Sequence, residues 1–266
     1  MRIPIWQVDA FTDGVFGGNP AAVCPLEAWL PDPLLLAIAA ENNLSETAFL
    51  LRDAVGGWAI RWFTPEIEIE LCGHATLASA HVVFEHLEPS RREVTFASGS
   101  GPLTVTRGEG GLLVMTLPRR APLACEPPPT LVRALGRRPA ETWRARDYLA
   151  MLGSEDEVRA VQPHLQDVAA LDAEGLIVTA PGSGSADFVS RYFAPQAGIA
   201  EDPVTGAAHS TLVPFWAARL GRARLEAHQV SRRGGWLSCE DRPEAGTVVV
   251  AGRAVEYLAG TITLPG

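Results

Sequence analysis

The chemistry of this 266-residue chain gathers around two glycines, Gly73 and Gly206, each of which opens an apolar stretch. The first lies in Cys72-Gly73-His74-Ala75-Thr76, the second in Asp202-Pro203-Val204-Thr205-Gly206-Ala207-Ala208. A glycine at a helix start lets a ligand approach the backbone closely. The first N–H groups of a helix have no partner inside it, and the macrodipole adds about half a positive charge at that end. Two such starts would cradle an anion, most simply a carboxylate. Taken singly, each glycine is also explained by a tight turn. The recurrence favours the anion.

A carboxylate binder becomes an enzyme if a base stands beside it. Glu46, in Asn43-Leu44-Ser45-Glu46-Thr47-Ala48-Phe49, enters an apolar strand. Loss of water there would raise its pKa above the usual value of about 4.3, towards the range useful for general acid–base work. A strand-end glutamate facing solvent fits the pattern equally well. Cys72, just before a helix start, could be an activated thiol. A two-thiol epimerase needs a second cysteine, however, and the second motif has Asp202, Pro203, Val204 and Thr205 in its place. Cys72 is therefore read as a small buried residue. His74, in the first helical turn, could donate to a carboxylate or shuttle a proton. Asp202 could hold a substrate amine or hydroxyl, or simply be a helix-start acid. His81 and His209 fall on apolar faces and read as core histidines. No His-Glu-x-x-His spacing suggests a metal, and no glycine-rich phosphate loop suggests a nucleotide.

The elements that must position these groups come twice. Arg61-Trp62-Phe63-Thr64-Pro65 recurs as Arg191-Tyr192-Phe193-Ala194-Pro195, 130 residues later, and Gly73 recurs as Gly206, 133 residues later. The repeat of half the chain predicts two like domains with a ligand cleft between them. The first half reads as a strand Ile3–Ala10 and a glycine-rich loop Thr12–Pro20. A helix follows from Asp32 as N-cap, with Pro33 at its first position, to about Glu41. Strands Thr47–Leu51 and Trp58–Phe63 precede a helix from Gly73 to about His86, and strands follow at Val94–Ala97, Leu103–Thr106 and Leu112–Leu117. Five prolines between Pro118 and Thr130 read as an extended linker. Strands Gly175–Ala180 and Phe188–Phe193 then lead to a helix from about Gly206, and the tail Thr247–Leu264 is strand-rich. Both glycine-initiated helices are apolar all round, so each is expected to be buried inside a curled sheet. The expected class is α+β, with one domain over 1–118, to which a strand of about 254–266 returns, and another over 130–253.

Bulk properties exclude several functions. A net charge of −9 and 47% apolar residues describe a soluble globular chain without the basic face that nucleic acid requires. No run approaches the roughly 18 apolar residues of a membrane span. The four cysteines lie far apart with no Cys-x-x-Cys pair, which fits a reducing, cytoplasmic setting.

Ordered motifs give the chain a family likeness. Val8-Asp9-Ala10-Phe11-Thr12, Phe16-Gly17-Gly18-Asn19-Pro20, Asn43-Leu44-Ser45-Glu46-Thr47, Cys72-Gly73-His74-Ala75-Thr76 and Glu201-Asp202-Pro203-Val204-Thr205-Gly206 resemble the PhzF-like family of phenazine-biosynthesis isomerases. The resemblance implies the diaminopimelate epimerase fold, with two pseudo-symmetric domains that each curl a mostly antiparallel sheet around a central helix. It also implies a homodimer and no metal or organic cofactor. In such proteins the residue matching Glu46 moves a proton within an unsaturated cyclic carboxylic acid. The resemblance places Glu46, His74 and Asp202 in the catalytic set and Asn19, Gly73, Gly206 and Ala207 at the substrate. Ala207 departs from the serine of the phenazine enzymes, which puts their substrate in doubt for this chain. The expected function is a cofactor-independent isomerase acting on a small carboxylate. The alternatives are a racemase or epimerase using Cys72, and a metabolite-binding protein without catalysis.

Overall fold

Strand β1 (Arg2–Ala10) organises the first of two units into which the chain divides in the computed structural model, which describes residues 1–53 and 56–265. This unit comprises Met1–Thr116 and Ala251–Gly266, and the second Leu117–Val250. The first unit runs β1, β2 (Asn19–Leu26), α1 (Asp32–Asn42), β3 (Glu46–Arg52), β4 (Trp58–Phe63), β5 (Glu68–Ile69), α2 (Gly73–Val82), β6 (Glu93–Ser98), β7 (Gly101–Arg107) and most of β8 (Leu113–Pro118). The second unit contains β9 (Leu123–Ala124), α3 (Pro129–Leu135), β10 (Glu141–Arg144), β11 (Tyr148–Met151), α4 (Glu155–Ala160), α5 (Leu165–Ala169), β12 (Leu176–Pro181), β13 (Phe188–Ala194), β14 (Ile199–Asp202), α6 (His209–Leu220), β15 (Arg224–Gln229), β16 (Gly235–Arg242) and most of β17 (Thr247–Gly252). The last strand, β18 (Ala254–Thr263), pairs antiparallel with β1.

Both units use one pairing scheme. In the first, β1–β2, β3–β4, β4–β5, β6–β7 and β7–β8 are antiparallel, while β2–β3 and β4–β6 are parallel. In the second, β10–β11, β12–β13, β13–β14 and β15–β16 are antiparallel, while β11–β12 and β13–β15 are parallel. Even the added strands correspond, because β9 lies against β10 as β18 lies against β1. The expected α+β class is therefore observed.

Helix α2 is a core element. Gly73 through Ala80, and Val82, are all buried, and the helix packs on β1, β2, β3 and β7. Alanine and leucine supply helix propensity, and the lack of a polar stripe leaves no face suited to water. A π turn, Val83–Leu87, completes the expected length to about His86. In the second unit His209 to Ala217 of α6 are buried, with Trp216 stacked on Phe188 at 5.6 Å and its Nε1 donating to Thr179 Oγ1 at 3.0 Å.

Several boundaries differ from expectation. Strand β2 already begins at Asn19, within the stretch read as loop, because Pro20 and the small residues after it adopt extended backbone beside β1. The N-cap of α1 is Pro31, so Asp32 lies inside the first turn and makes no cap. The α-helical part of α6 starts at His209 rather than Gly206. Bonds from His209 N to Gly206 O, Ser210 N to Ala207 O and Thr211 N to Ala208 O form tighter i→i+3 turns ahead of it. Within the proline-rich stretch, β9 pairs with β10 and α3 begins at Pro129.

The repeated arginines lock each copy in the same way. Arg61 forks onto Glu68 at 2.6 and 2.6 Å and lies over the Phe63 ring. Arg191 forks onto Glu201 at 2.6 and 2.9 Å and lies over Phe193. Arg191 alone is buried, and its Nη1 also donates to the carbonyls of Val158, Arg159 and Val161. Arg191→Ala should therefore cost about 3–5 kcal/mol of stability. Arg61→Ala, at a partly exposed pair, should cost about 1 kcal/mol or less. Urea unfolding of both variants checks the asymmetry, and equal costs would refute it.

Candidate active site

Three chain segments converge on the His74 ring within the first unit. Asn19 is the first residue of β2 and Glu46 the first of β3. These strands are parallel neighbours with Ala21 opposite Glu46, so both residues enter at the same end of the sheet. His74 comes from the first turn of α2, which packs on both strands. All three side chains are buried, Glu46 being only 4% exposed and His74 2%. Glu46 is thus not the solvent-facing strand-end residue that its pattern also allowed.

The contacts form a line. Glu46 Oε2 lies 3.0 Å from His74 Nε2, an ion-pair distance whose angles fall outside those of a hydrogen bond. On the other side of the ring, Asn19 Nδ2 approaches Nδ1 at 3.0 Å and Cys72 Sγ approaches the same atom at 3.4 Å. In the neutral ring, an Asn19 amide nitrogen donating to Nδ1 leaves the ring proton on Nε2, facing Glu46, whereas the protonated ring carries one on each nitrogen.

Local backbone explains how Asn19 arrives there. Gly18 has φ +59°, and a Cβ at that position would stand 2.1 Å from the Ala10 carbonyl oxygen. The loop is held by the buried Asp9, whose Oδ2 accepts from Phe16 N at 2.8 Å. Only glycine allows the chain to pass so close to β1 before turning into β2.

Electrostatics distinguish the two groups that flank Glu46. Burial pushes the Cys72 thiol up to about 11, with the Glu46 charge adding to the effect. Near neutral pH it is a thiol, in keeping with its reading as a small buried residue. Burial acts to lower the His74 value, but the charges of Cys72 and Glu46 outweigh it and the net shift is well upward. The Glu46 carboxyl, 3.0 Å from Nε2, is one of the two neighbours that favour a proton on this ring.

The second motif is built differently. Asp202 closes β14 and is buried, with Oδ2 accepting from Thr205 Oγ1 at 2.6 Å. Gln229 clamps this turn. Its Oε1 accepts from Thr205 N at 2.8 Å, and its Nε2 donates to the Asp202 carbonyl at 2.8 Å and to Thr205 Oγ1 at 3.1 Å. Gly206 and Ala207 lie in the tight turns that precede α6. His209, read as a core histidine, is fully buried and donates from Nδ1 to the Thr205 carbonyl at 2.8 Å. Burial pulls its pKa down to about 4. His81 is partly buried, and burial lowers its pKa as well. Gln229 escaped sequence reasoning because it sits on a strand 24 residues away with no motif around it.

Residues 8–260 match the family model described as phenazine biosynthesis-like protein. The chain belongs to the phenazine biosynthesis-like, or PhzF, family. An uncharacterized isomerase of Pseudomonas aeruginosa is 49% identical, covering 99% of this chain and all of that protein. The human phenazine biosynthesis-like domain-containing protein is 37% identical, again over 99% of this chain and all of its own length. A crystal structure of a PhzF-family protein from Enterococcus faecalis superposes with TM-score 0.93 at 44% identity, covering 99% of this chain and all of that one. A probable proline racemase from Agrobacterium radiobacter, 13% identical with TM-score 0.67 over 99% of this chain and 93% of its own, shares the fold.

The two buried histidines should affect stability with opposite signs of pH dependence. The His74 value is raised, so its contribution is complete below the ordinary value of about 6.5 and is lost as pH climbs through the raised one. His74→Gln should therefore be most destabilising in mild acid and progressively less so in alkali. For His209, depressed to about 4, the contribution is complete above about 6.5 and is lost as pH falls, to the extent of about 3 kcal/mol. His209→Gln should remove that part of the acid sensitivity. Urea unfolding over a pH series tests both, and parallel curves for wild type and variant would refute the corresponding assignment.

Proposed function

We propose that this isomerase moves a proton within a small carboxylic acid without a cofactor, with Glu46 as general acid and base. The observation that carries the reading is the dehydrated Glu46–His74 pair at the start of a buried helix. A carboxylate kept from water has fewer hydrogen bonds to give up when it takes a carbon-bound proton. His74 Nε2, 3.0 Å away, is placed to stabilise the charged form and to donate as the proton moves. The negative charge that develops on the substrate needs fixed donors, and the first N–H groups of α2 at Gly73 and His74 are of the right kind.

The same proposal assigns Asp202, Gly206 and Ala207 to substrate contacts. Asp202 is held by Thr205 and its turn by Gln229, as a group that must keep one orientation would be. Asn19 is assigned chiefly to fixing the His74 ring and secondarily to the substrate. A homodimer in a cytoplasmic setting belongs to this reading, and light scattering of the purified chain tests the dimer. No helix among the described residues is long and apolar enough to cross a membrane.

A racemase using Cys72 is the weaker reading. The thiol is held up at about 11, and Thr205 stands in the second motif where a paired thiol would be required.

The deciding measurement is a screen of small carboxylic acids by NMR in heavy water. Wild type should place deuterium in its substrate. Glu46→Gln should still bind it but lose roughly 10²–10⁴-fold in exchange rate, whereas Cys72→Ser should retain exchange. Full exchange by Glu46→Gln would reject Glu46 as the base, and loss confined to Cys72→Ser would favour the racemase. A wild type that binds without exchanging any proton would make the protein a metabolite binder.

A further inference from the structure

We propose that Glu46, Cys72 and His74 form a binding site for a thiophilic divalent cation, with Zn²⁺ as the type case. Each of the three residues offers one ligand atom, and these atoms lie within 4.8 Å of one another. All three residues are buried, so the set is held by packing rather than by mobile surface side chains. A tetrahedral ion with bonds of about 2.0–2.3 Å holds its ligands roughly 3.3–3.6 Å apart. Glu46 Oε2 stands 3.0 Å from His74 Nε2, a little inside that spacing, and Cys72 Sγ stands 3.4 Å from the other ring nitrogen, Nδ1. Only one ring nitrogen can ligate a given ion, so closing the set requires rotation of the Cys72 and His74 side chains, not a new backbone path.

The donor types select the ion. Thiolate and imidazole with one carboxylate suit zinc and its softer relatives, whereas magnesium and calcium take oxygen ligands. Two atoms of the set, Glu46 Oε2 and His74 Nε2, are buried without a hydrogen bond of good angle. Such atoms carry a desolvation cost that a cation would offset. With the ion on Nε2, the Asn19 amide can turn its oxygen to Nδ1–H and orient the ring, as outer partners of metal-bound histidines do. Three protein ligands leave the fourth position to water or to a ligand's carboxylate. Sequence spacing could not show this set, because Cys72 and His74 are two residues apart and Glu46 comes from another strand.

An ion held by the Glu46 carboxylate would stop that group from moving a proton, so the cation should inhibit. That consequence rests on the proposed isomerase, whereas the binding itself does not. Metal-free full-length protein is titrated with Zn²⁺ by calorimetry and with Co²⁺ by absorption, where a thiolate-to-cobalt band reports Cys72. One equivalent should bind. Cys72→Ser and Glu46→Gln should each weaken binding by at least about 10–100-fold, the range lost when only an outer partner is removed. Cys125→Ser should bind as wild type does, and circular dichroism of each variant shows that it is folded. Absence of stoichiometric binding, or an unchanged cobalt band in Cys72→Ser, would overturn the site. Stoichiometric binding together with undiminished deuterium exchange by the zinc-loaded protein would leave the site standing and reject Glu46 as the base.

Discussion

Removing a carboxylate from water is the constraint on which the first unit depends. A glutamate carboxyl at 4% exposure is costly without a compensating partner. His74 is that partner, and it can serve only if its ring is held with Nε2 towards Glu46. Asn19 holds it from the far side. Asn19 in turn depends on the loop that delivers β2, which requires Gly18 at positive φ against the Ala10 carbonyl and the Asp9 carboxylate beneath Phe16. The family motifs around Asp9, Gly18, Asn19, Glu46 and His74 are therefore successive supports of one charged contact.

The duplication copies the scaffold and not this contact. In the first unit Thr47 faces Phe63 across β3–β4, and in the second Leu176 faces Phe193 across β12–β13, with both aromatic residues at the 130-residue offset. Glu46, just before Thr47, thus corresponds to Gly175, just before Leu176. A Cβ at Gly175 would meet the Tyr192 hydroxyl at 2.4 Å, and that hydroxyl donates to the buried Asp147 at 2.9 Å. A closed tyrosine–aspartate pair occupies the place that Glu46 has in the first unit. Elsewhere the copies agree in detail. Thr76 Oγ1 donates to the Cys72 carbonyl at 2.5 Å, and His209 Nδ1, at the 133-residue offset, donates to the equivalent Thr205 carbonyl at 2.8 Å. The backbone carbonyl at this position is satisfied by a side chain in both copies.

Much of this was legible in the residues. Apolar coverage on all sides identified α2 and α6 as buried, since a helix with no polar face has nothing to present to water. The repeated Arg-aromatic-Phe segment located corresponding strands. What escaped was long-range. Asn19 and His74 are 55 residues apart, and Thr205 and Gln229 are 24 apart, so neither partnership leaves a local period. Whether Glu46 faces core or solvent turns on the residues of other strands, and its own alternation pattern is neutral on the point. The start of α6 was placed three residues early because Gly206 opens a set of i→i+3 turns, whose composition does not differ from that of an α-helical first turn.

The position of Cys72 follows from the same ring. Asn19 and Cys72 both address Nδ1, and one lone pair cannot accept fully from both. The shorter approach and the stronger donor belong to the amide, so the amide governs the tautomer and the thiol keeps its proton in an apolar setting. Were the thiol instead a thiolate, Nδ1 would have to carry a proton to face it, and Nε2 would then need its own proton to face Glu46. Two negative groups would lie on either side of one imidazolium in a buried site, leaving one uncompensated charge. The neutral thiol leaves one acidic group beside the ring rather than two. It leaves Glu46 and His74 as the ion pair of this cluster, with the cysteine held beside them as a thiol.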